Sequence, residues 1–225
     1  MSNKKHLIIL GHGEGDGGAL GVVKSERLHL LDLGRELRIL INAFSLPVVL
    51  EDTKNIYKRN DFQKNPTYYR SFESVTEIHF NSDSTGKATG GEILFAEGLV
   101  ADKMDKRFEQ YLRNHFGFRR YIKSNWYQQT RVAKQLSIPS YRLVEICFCN
   151  NPVDIQKFMG KERYHAQKIL EVITQRTLEV EDRKIQPFST TYIIQLGAFN
   201  QLENAQKQLK EIQKHFKDAF IRRVK

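Results

Sequence analysis

The chain has 225 residues, 40% of them hydrophobic and 28% charged; these values predict one ordinary domain with a small appendage and exclude disordered and fibrous classes. Apolar runs such as Leu7–Leu10 fall far short of the roughly 20 residues that cross a bilayer, and the basic start Met1-Ser2-Asn3-Lys4-Lys5 leads into too short an apolar stretch for an export signal. Thirty-six Lys and Arg against 26 Asp and Glu give a formal charge of +10 and imply attraction to a polyanion; with no zinc finger, basic zipper region or RNP-like strand, nucleic acid is not the expected partner.

His6–Leu10 reads as a short buried strand that stops at a glycine-dense segment, Gly11–Gly21, the kind of loop in which chemistry gathers. Leu28, Leu31, Leu33, Leu37 and Leu40 recur at helical spacing from Glu26 onward, with Ser25 placed as a cap. Pro47–Leu50 reads as a second strand, which completes a strand, helix, strand unit. The polar, aromatic stretch Asn55–Arg70 reads as helix with loops, ended at Pro66. Val75–Asn81 and Glu92–Phe95 read as strands and Leu99–Phe116 as a helix, with Gly117–Gln135 basic, aromatic and loop-rich. Arg142–Phe148 is a further strand, and Val153–Leu178 is helical with a break near Gly160. This alternation predicts an α/β fold: a twisted, mostly parallel sheet flanked by helices on both faces. In such sheets functional groups collect at the carboxyl ends of the strands.

Three polar residues fall at such ends: His12 after the first strand, His79 late in the third and Glu145 in the Arg142–Phe148 strand. Glu26, at the first turn of the helix after the glycine loop, can fold back beside His12. Each has a plainer reading. A strand histidine serves as an ordinary core residue, and an acid at a helix start complements the helix dipole. Glu145 stands apart, because an acid between Val144 and Ile146 is costly to bury unless paired or used. Two histidines and a carboxylate are ligand types for a hydrolytic zinc, and a further carboxylate suits a general base. Cys147 and Cys149 read as buried thiols that share the Glu145 face by the period of two.

The blocks Gly11-His12-Gly13-Glu14-Gly15-Asp16-Gly17-Gly18-Ala19-Leu20-Gly21, Glu26, Ile78-His79-Phe80-Asn81 and Val144-Glu145-Ile146-Cys147-Phe148-Cys149-Asn150 resemble, in order and spacing, the zinc-dependent N-acetylmuramoyl-L-alanine amidases of autolysins and phage endolysins. The resemblance covers roughly residues 5 to 178. It implies one Zn2+ held by His12, Glu26 and His79, with Glu145 as the catalytic glutamate and Asn81 as a substrate contact. It also implies cleavage of the amide between N-acetylmuramic acid and L-alanine in peptidoglycan. Glu14 stands where the family usually has glycine, and Gly17 where it often has proline. Alternative readings are a peptidoglycan-binding protein without catalysis, or another zinc peptidase acting on stem peptides.

The expected organisation is a catalytic domain over 1–178, a charged, proline-containing linker over 179–190 and a strand, helix, strand appendage over 191–225. Tyr192-Ile193-Ile194-Gln195-Leu196-Gly197-Ala198-Phe199 resembles the start of a SPOR repeat, a glycan-binding module, of which about half is present. The expected partner is peptidoglycan, with anionic wall polymers attracted by the positive charge and no membrane insertion. The expected route is synthesis in the cytoplasm followed by action on the cell wall in host-cell or mother-cell lysis.

Overall fold

Strand β1 (His6–Leu10) is buried on both sides: Ile8 and Leu10 enter one apolar cluster, Leu7 and Ile9 another. A strand clad on two faces must be apolar at successive positions, and this one is. In the computed structural model, which describes residues 5–179, β1 belongs to a six-stranded sheet. The other strands are β2 (Val48–Glu51), β3 (Ser74–Asn81), β4 (Gly91–Phe95), β5 (Phe118–Lys123) and β6 (Tyr141–Phe148), in the spatial order β2-β1-β3-β6-β4-β5. The first four in that order are mutually parallel; β4 runs antiparallel to β6 and parallel to β5. The expected mostly parallel sheet is borne out.

Helices α1 (Glu26–Ala43), α5 (Lys103–His115), α7 (Pro152–Phe158) and α8 (Glu162–Thr174) contribute to the larger cluster on one face. Three short helices, α2 (Ile56–Arg59), α3 (Asp61–Lys64) and α4 (Pro66–Arg70), cover the other face with α6 (Gln128–Gln135). No helix among the described residues is long and apolar enough to cross a membrane.

Several boundaries differ from the sequence reading. The buried stripe of α1 is Glu26, His29, Leu30, Leu33, Leu37 and Leu40, whereas Leu28 and Leu31 face solvent. Ser25 occupies the N-cap but makes no side-chain cap bond; the loop carbonyls of Ala19 and Gly17 instead accept from the amides of Glu26 and Arg27. Pro66 opens α4 rather than ending an element, since its missing N–H costs nothing in a first turn. Helix α5 begins at Lys103, where the Asp102 and Asp105 side chains form a capping box. The stretch expected to be loop-rich holds β5 and α6: β5 is an edge strand, and its charged residues hide the strand pattern while protecting the edge. The helical segment after β6 breaks at Met159–Lys161, where Gly160 has φ +74.

A register shift sits between β3 and β6: His79 pairs with Glu145, but Asn81 pairs with Phe148, so β6 carries one extra residue. The parity of the strand reverses there. Cys147 and Cys149 consequently join Val144 and Ile146 in the larger cluster, on the face opposite Glu145, which corrects the shared-face expectation. The linker beyond residue 179 and the strand, helix and strand expected over 191–225 lie outside the described residues.

Candidate metal centre

Because β1, β3 and β6 are adjacent and parallel, their carboxyl ends form one ledge. The chain leaves β1 at Gly11 and places His12 on it in a left-handed conformation, φ +54. A Cβ on Gly11 would lie 2.2 Å from His79 Cε1, so this glycine makes room for the second imidazole. Gly18, at φ +65, does the same for the other pair: a Cβ there would lie 2.6 Å from Glu26 Oε2 and 2.8 Å from His12 Cδ2. The loop then returns into α1 and buries Glu26 in its first turn.

Glu26 is the hub. Its Oε2 lies 3.0 Å from His12 Nε2 and its Oε1 lies 2.9 Å from His79 Nδ1. The backbone amides of Ala19 and Phe80 each donate to it at 3.0 Å. One donor atom from each of His12, Glu26 and His79 can be chosen so that all lie within 4.8 Å of one another, a group able to hold a metal ion. Against the burial that would raise it, hydrogen bonds from the two imidazoles hold the Glu26 carboxyl far below the usual carboxylate range.

Each imidazole turns its remaining nitrogen to another carboxylate. His12 Nδ1 lies 3.2 Å from Asp16 Oδ2, and Asp16 is itself held by Gly18 N and Asn55 Nδ2. His79 Nε2 lies 2.9 Å from Glu77 Oε1, and the Tyr141 hydroxyl donates to Glu77 Oε2 at 2.7 Å. Glu77 and Tyr141 are buried, whereas Asp16 is partly exposed. Burial opposes protonation of His79, yet Glu26 and Glu77 together raise its pKa well above the usual value.

Glu145 pairs with His79 across the sheet, and its Oε2 is enclosed without a hydrogen-bond partner. Burial pushes its carboxyl up to about 8 against the attraction of His79, with Glu26 and Glu92 adding to the rise. Asn81 donates from its amide to Glu92 at 2.9 Å and accepts from Ser82 N at 2.7 Å. Glu14, the unusual acid of the glycine loop, is paired with Arg59 at 2.7 Å.

The four residues singled out from sequence thus converge. Sequence reasoning passed over Glu77, Tyr141 and Glu92. Glu77 was within reach, since it stands two positions before His79 and must share its face. Glu92 and Tyr141 become visible only once strand pairing is known.

The fold and the ledge together define an α/β protein with a His-Glu-His group able to hold a metal ion and an adjoining acid whose Oε2 is enclosed. The chain belongs to the N-acetylmuramoyl-L-alanine amidase family, whose model matches residues 7–175; a SPOR domain model matches residues 189–225. The fold resembles the catalytic domain of CwlV, an N-acetylmuramoyl-L-alanine amidase from Bacillus (Paenibacillus) polymyxa var. colistinus. The TM-score is 0.59 at 21% identity, over 76% of this chain and 97% of that one. It also resembles AmiC2 of Nostoc punctiforme, with TM-score 0.61 at 18% identity over 77% of this chain and 97% of that one. The catalytic domain of CD27L, an endolysin targeting Clostridia difficile, gives TM-score 0.60 at 22% identity over 78% and 99%. Among curated proteins, the probable autolysin PH of Staphylococcus aureus (strain NCTC 8325 / PS 47) is 26% identical over 169 residues. That match covers 68% of this chain and 34% of the relative, so the chain spans about a third of the relative's length.

Proposed function

We propose that this chain hydrolyses the amide between the lactyl group of N-acetylmuramic acid and the L-alanine of the peptidoglycan stem, with one zinc ion held by His12, Glu26 and His79. The observation that carries the reading is the convergence of those three donors within 4.8 Å beside a carboxyl with an enclosed oxygen. The donor set fits zinc: two imidazole nitrogens and one carboxylate oxygen match a catalytic site that keeps a position open. The enclosed, unpartnered Oε2 of Glu145 is a buried polar atom that the protein alone does not satisfy. When bound, zinc supplies Lewis acidity towards water and the scissile carbonyl.

The protein's own groups supply the rest. His12 offers Nε2 and His79 offers Nδ1 to the shared position, because their other nitrogens are engaged by Asp16 and Glu77. Glu26 stays ionised under its imidazole hydrogen bonds and so is ready as an anionic ligand. Glu145 acts as general base and then general acid: its carboxylate takes a proton from the attacking water and hands it to the leaving amine. Burial and the neighbouring acids push this carboxyl up to about 8; a divalent cation bound at the donors would lower it towards the range where both acceptance and release are easy.

The proposed organisation is a catalytic domain over 1–178, a linker over 179–190 and a SPOR-like glycan-binding segment over 191–225, acting together on the cell wall. The net charge of +10 favours retention on anionic wall polymers. The test is mass analysis of digested peptidoglycan, in which an amidase frees peptides beginning at L-alanine. Glu145→Gln should bind zinc at parental stoichiometry and clear no wall; clearing at the parental rate would refute the assignment. His79→Ala should lose zinc, and full retention would refute the ligand set.

A further inference from the structure

We propose that the cleft beside β5 seats an acidic carboxylate of the stem peptide, gripped by Arg120; this rests on the amidase reading above. The register pairs His79 with Glu145, Glu145 with Glu92 and Glu92 with Arg120. Paired residues share a face, so one row of side chains crosses four adjacent strands: imidazole, carboxylate, carboxylate, guanidinium. The row ends at β5, the sheet edge, where it meets a cavity of about 440 Å³ lined by Arg120, Ile122, Lys123, Ser124, Trp126 and Tyr127.

The spacing matches the substrate. Strands lie about 4.8 Å apart, so the Arg120 backbone stands two spacings, about 10 Å, from that of Glu145. An extended peptide advances about 3.3–3.6 Å per residue, so a stem leaving the scissile amide towards β5 brings its second and third residues over Arg120. In peptidoglycan the second residue is a D-glutamate, whose α-carboxyl is free or amidated, and the third is a diamino acid that can carry a carboxylate of its own.

The chemistry of the cleft matches as well. Arg120 gives Nε to Glu92 at 3.0 Å, which steadies the guanidinium, while its side chain stays 59% exposed. Lys123 pairs with Phe95 and holds its ammonium 5.8 Å from the centroid of that ring, on the face opposite Arg120, which leaves the grip to the guanidinium. Trp126 is 87% exposed and offers an apolar wall where no core needs it. The Tyr127 phenol is raised first by burial and then by Glu145 and Glu92, which puts this side of the cleft within the field of the catalytic carboxylate. Buried Glu92 therefore has a role besides its bond to Asn81: it preorganises the cation that meets the stem.

The test uses the full, zinc-loaded chain and two muramyl-tripeptide fragments that differ only in a free or amidated α-carboxyl on D-glutamate. The parent should cleave the carboxylate form with the higher kcat/KM, through a lower KM at equal kcat. Arg120→Ala should shrink that preference by roughly three- to fivefold, the scale of an exposed charged contact, while Lys123→Ala, on the opposite face, should leave it intact. Equal KM for both fragments, or an unchanged preference in Arg120→Ala, overturns the subsite while leaving the amidase reading intact. Failure of the parent to cleave either fragment strikes the amidase reading instead. Calorimetric titration of free L-alanyl-D-glutamyl tripeptide then still decides the subsite: binding weakened in Arg120→Ala supports it, and binding unchanged in that variant or undetectable in the parent overturns it.

Discussion

Removing the Glu77 carboxylate should weaken zinc binding by about 10- to 100-fold, the usual effect of losing an outer-shell partner. The structure supports that magnitude. Glu77 accepts from His79 Nε2 at 2.9 Å and from the Tyr141 hydroxyl at 2.7 Å, with all three side chains buried. In Glu77→Ala both donors are left in a dry site, and an orphaned buried donor costs about 1–3 kcal/mol. The imidazole then gains by turning or by presenting the other tautomer, and either change withdraws Nδ1 from Glu26. Glu77→Gln keeps one oxygen acceptor and should lose less. Asp16→Ala should lose only a few-fold, because the Asp16–His12 contact is longer and partly exposed. Competition for zinc against a chromophoric chelator measures all three, and the ring-nitrogen NMR signals of His79 report its tautomer. If Glu77→Ala holds zinc within twofold of the parent with an unchanged tautomer, then Gly11 packing and Glu26 alone orient His79, and the reasoning fails.

Gly11→Ala should abolish zinc binding outright, since its Cβ would overlap the His79 ring, and atomic emission on the purified variant checks this. Arg142, fully buried and bonded to Asp102, Asp105, Thr76 and Ser140, should cost about 3–5 kcal/mol as Arg142→Ala in urea unfolding, because Asp105 is left buried without its partner. His29 is buried with neither ring nitrogen bonded, and burial, helped by Lys24, depresses its pKa to about 4. Between about pH 4 and 6.5 the unfolded chain therefore binds the proton that the folded chain refuses, so the stability contributed by neutral His29 rises with pH across that window, by at most about 3 kcal/mol. His29→Leu should flatten that part of the stability profile, and an unchanged slope would refute the assignment.

How much of this was legible depended on whether the cause was local. Apolar runs announce strands clad on both faces, as in β1 and β3, and helical spacing announced α1, even though Leu28 and Leu31 proved to be off the buried stripe. His12, Glu26, His79 and Glu145 were readable because each belongs to a separate motif, whose joint order and spacing is specific. Glu92, Tyr141 and the β6 bulge were not, because each acquires meaning only from the strand laid beside it. The edge strand β5 escaped for a related reason: with solvent on one side it needs little apolar content, and its arginines resemble those of a loop. The reversed parity of Cys147 and Cys149 follows from one inserted residue, which no alternation rule detects.

The distribution of charge now has a physical account. A chain of net +10 nevertheless gathers Glu26, Glu77, Glu92 and Glu145 on one sheet ledge, Glu26, Glu77 and Glu92 buried and Glu145 with an enclosed oxygen. Like charges in a dry site repel, and the raised carboxyl of Glu145 expresses its desolvation first and then the repulsion from Glu26 and Glu92. Two of the four are answered by cations within the chain: Glu92 by Arg119 and Arg120, and Glu77, once His79 is protonated, by its imidazolium. Glu26 and Glu145 have only the shared imidazoles between them. A divalent cation at the His12, Glu26 and His79 donors would cancel the remaining excess. On the proposed reading, the net positive charge and the acidic ledge would serve different steps, the first retention on an anionic polymer and the second selection of a metal.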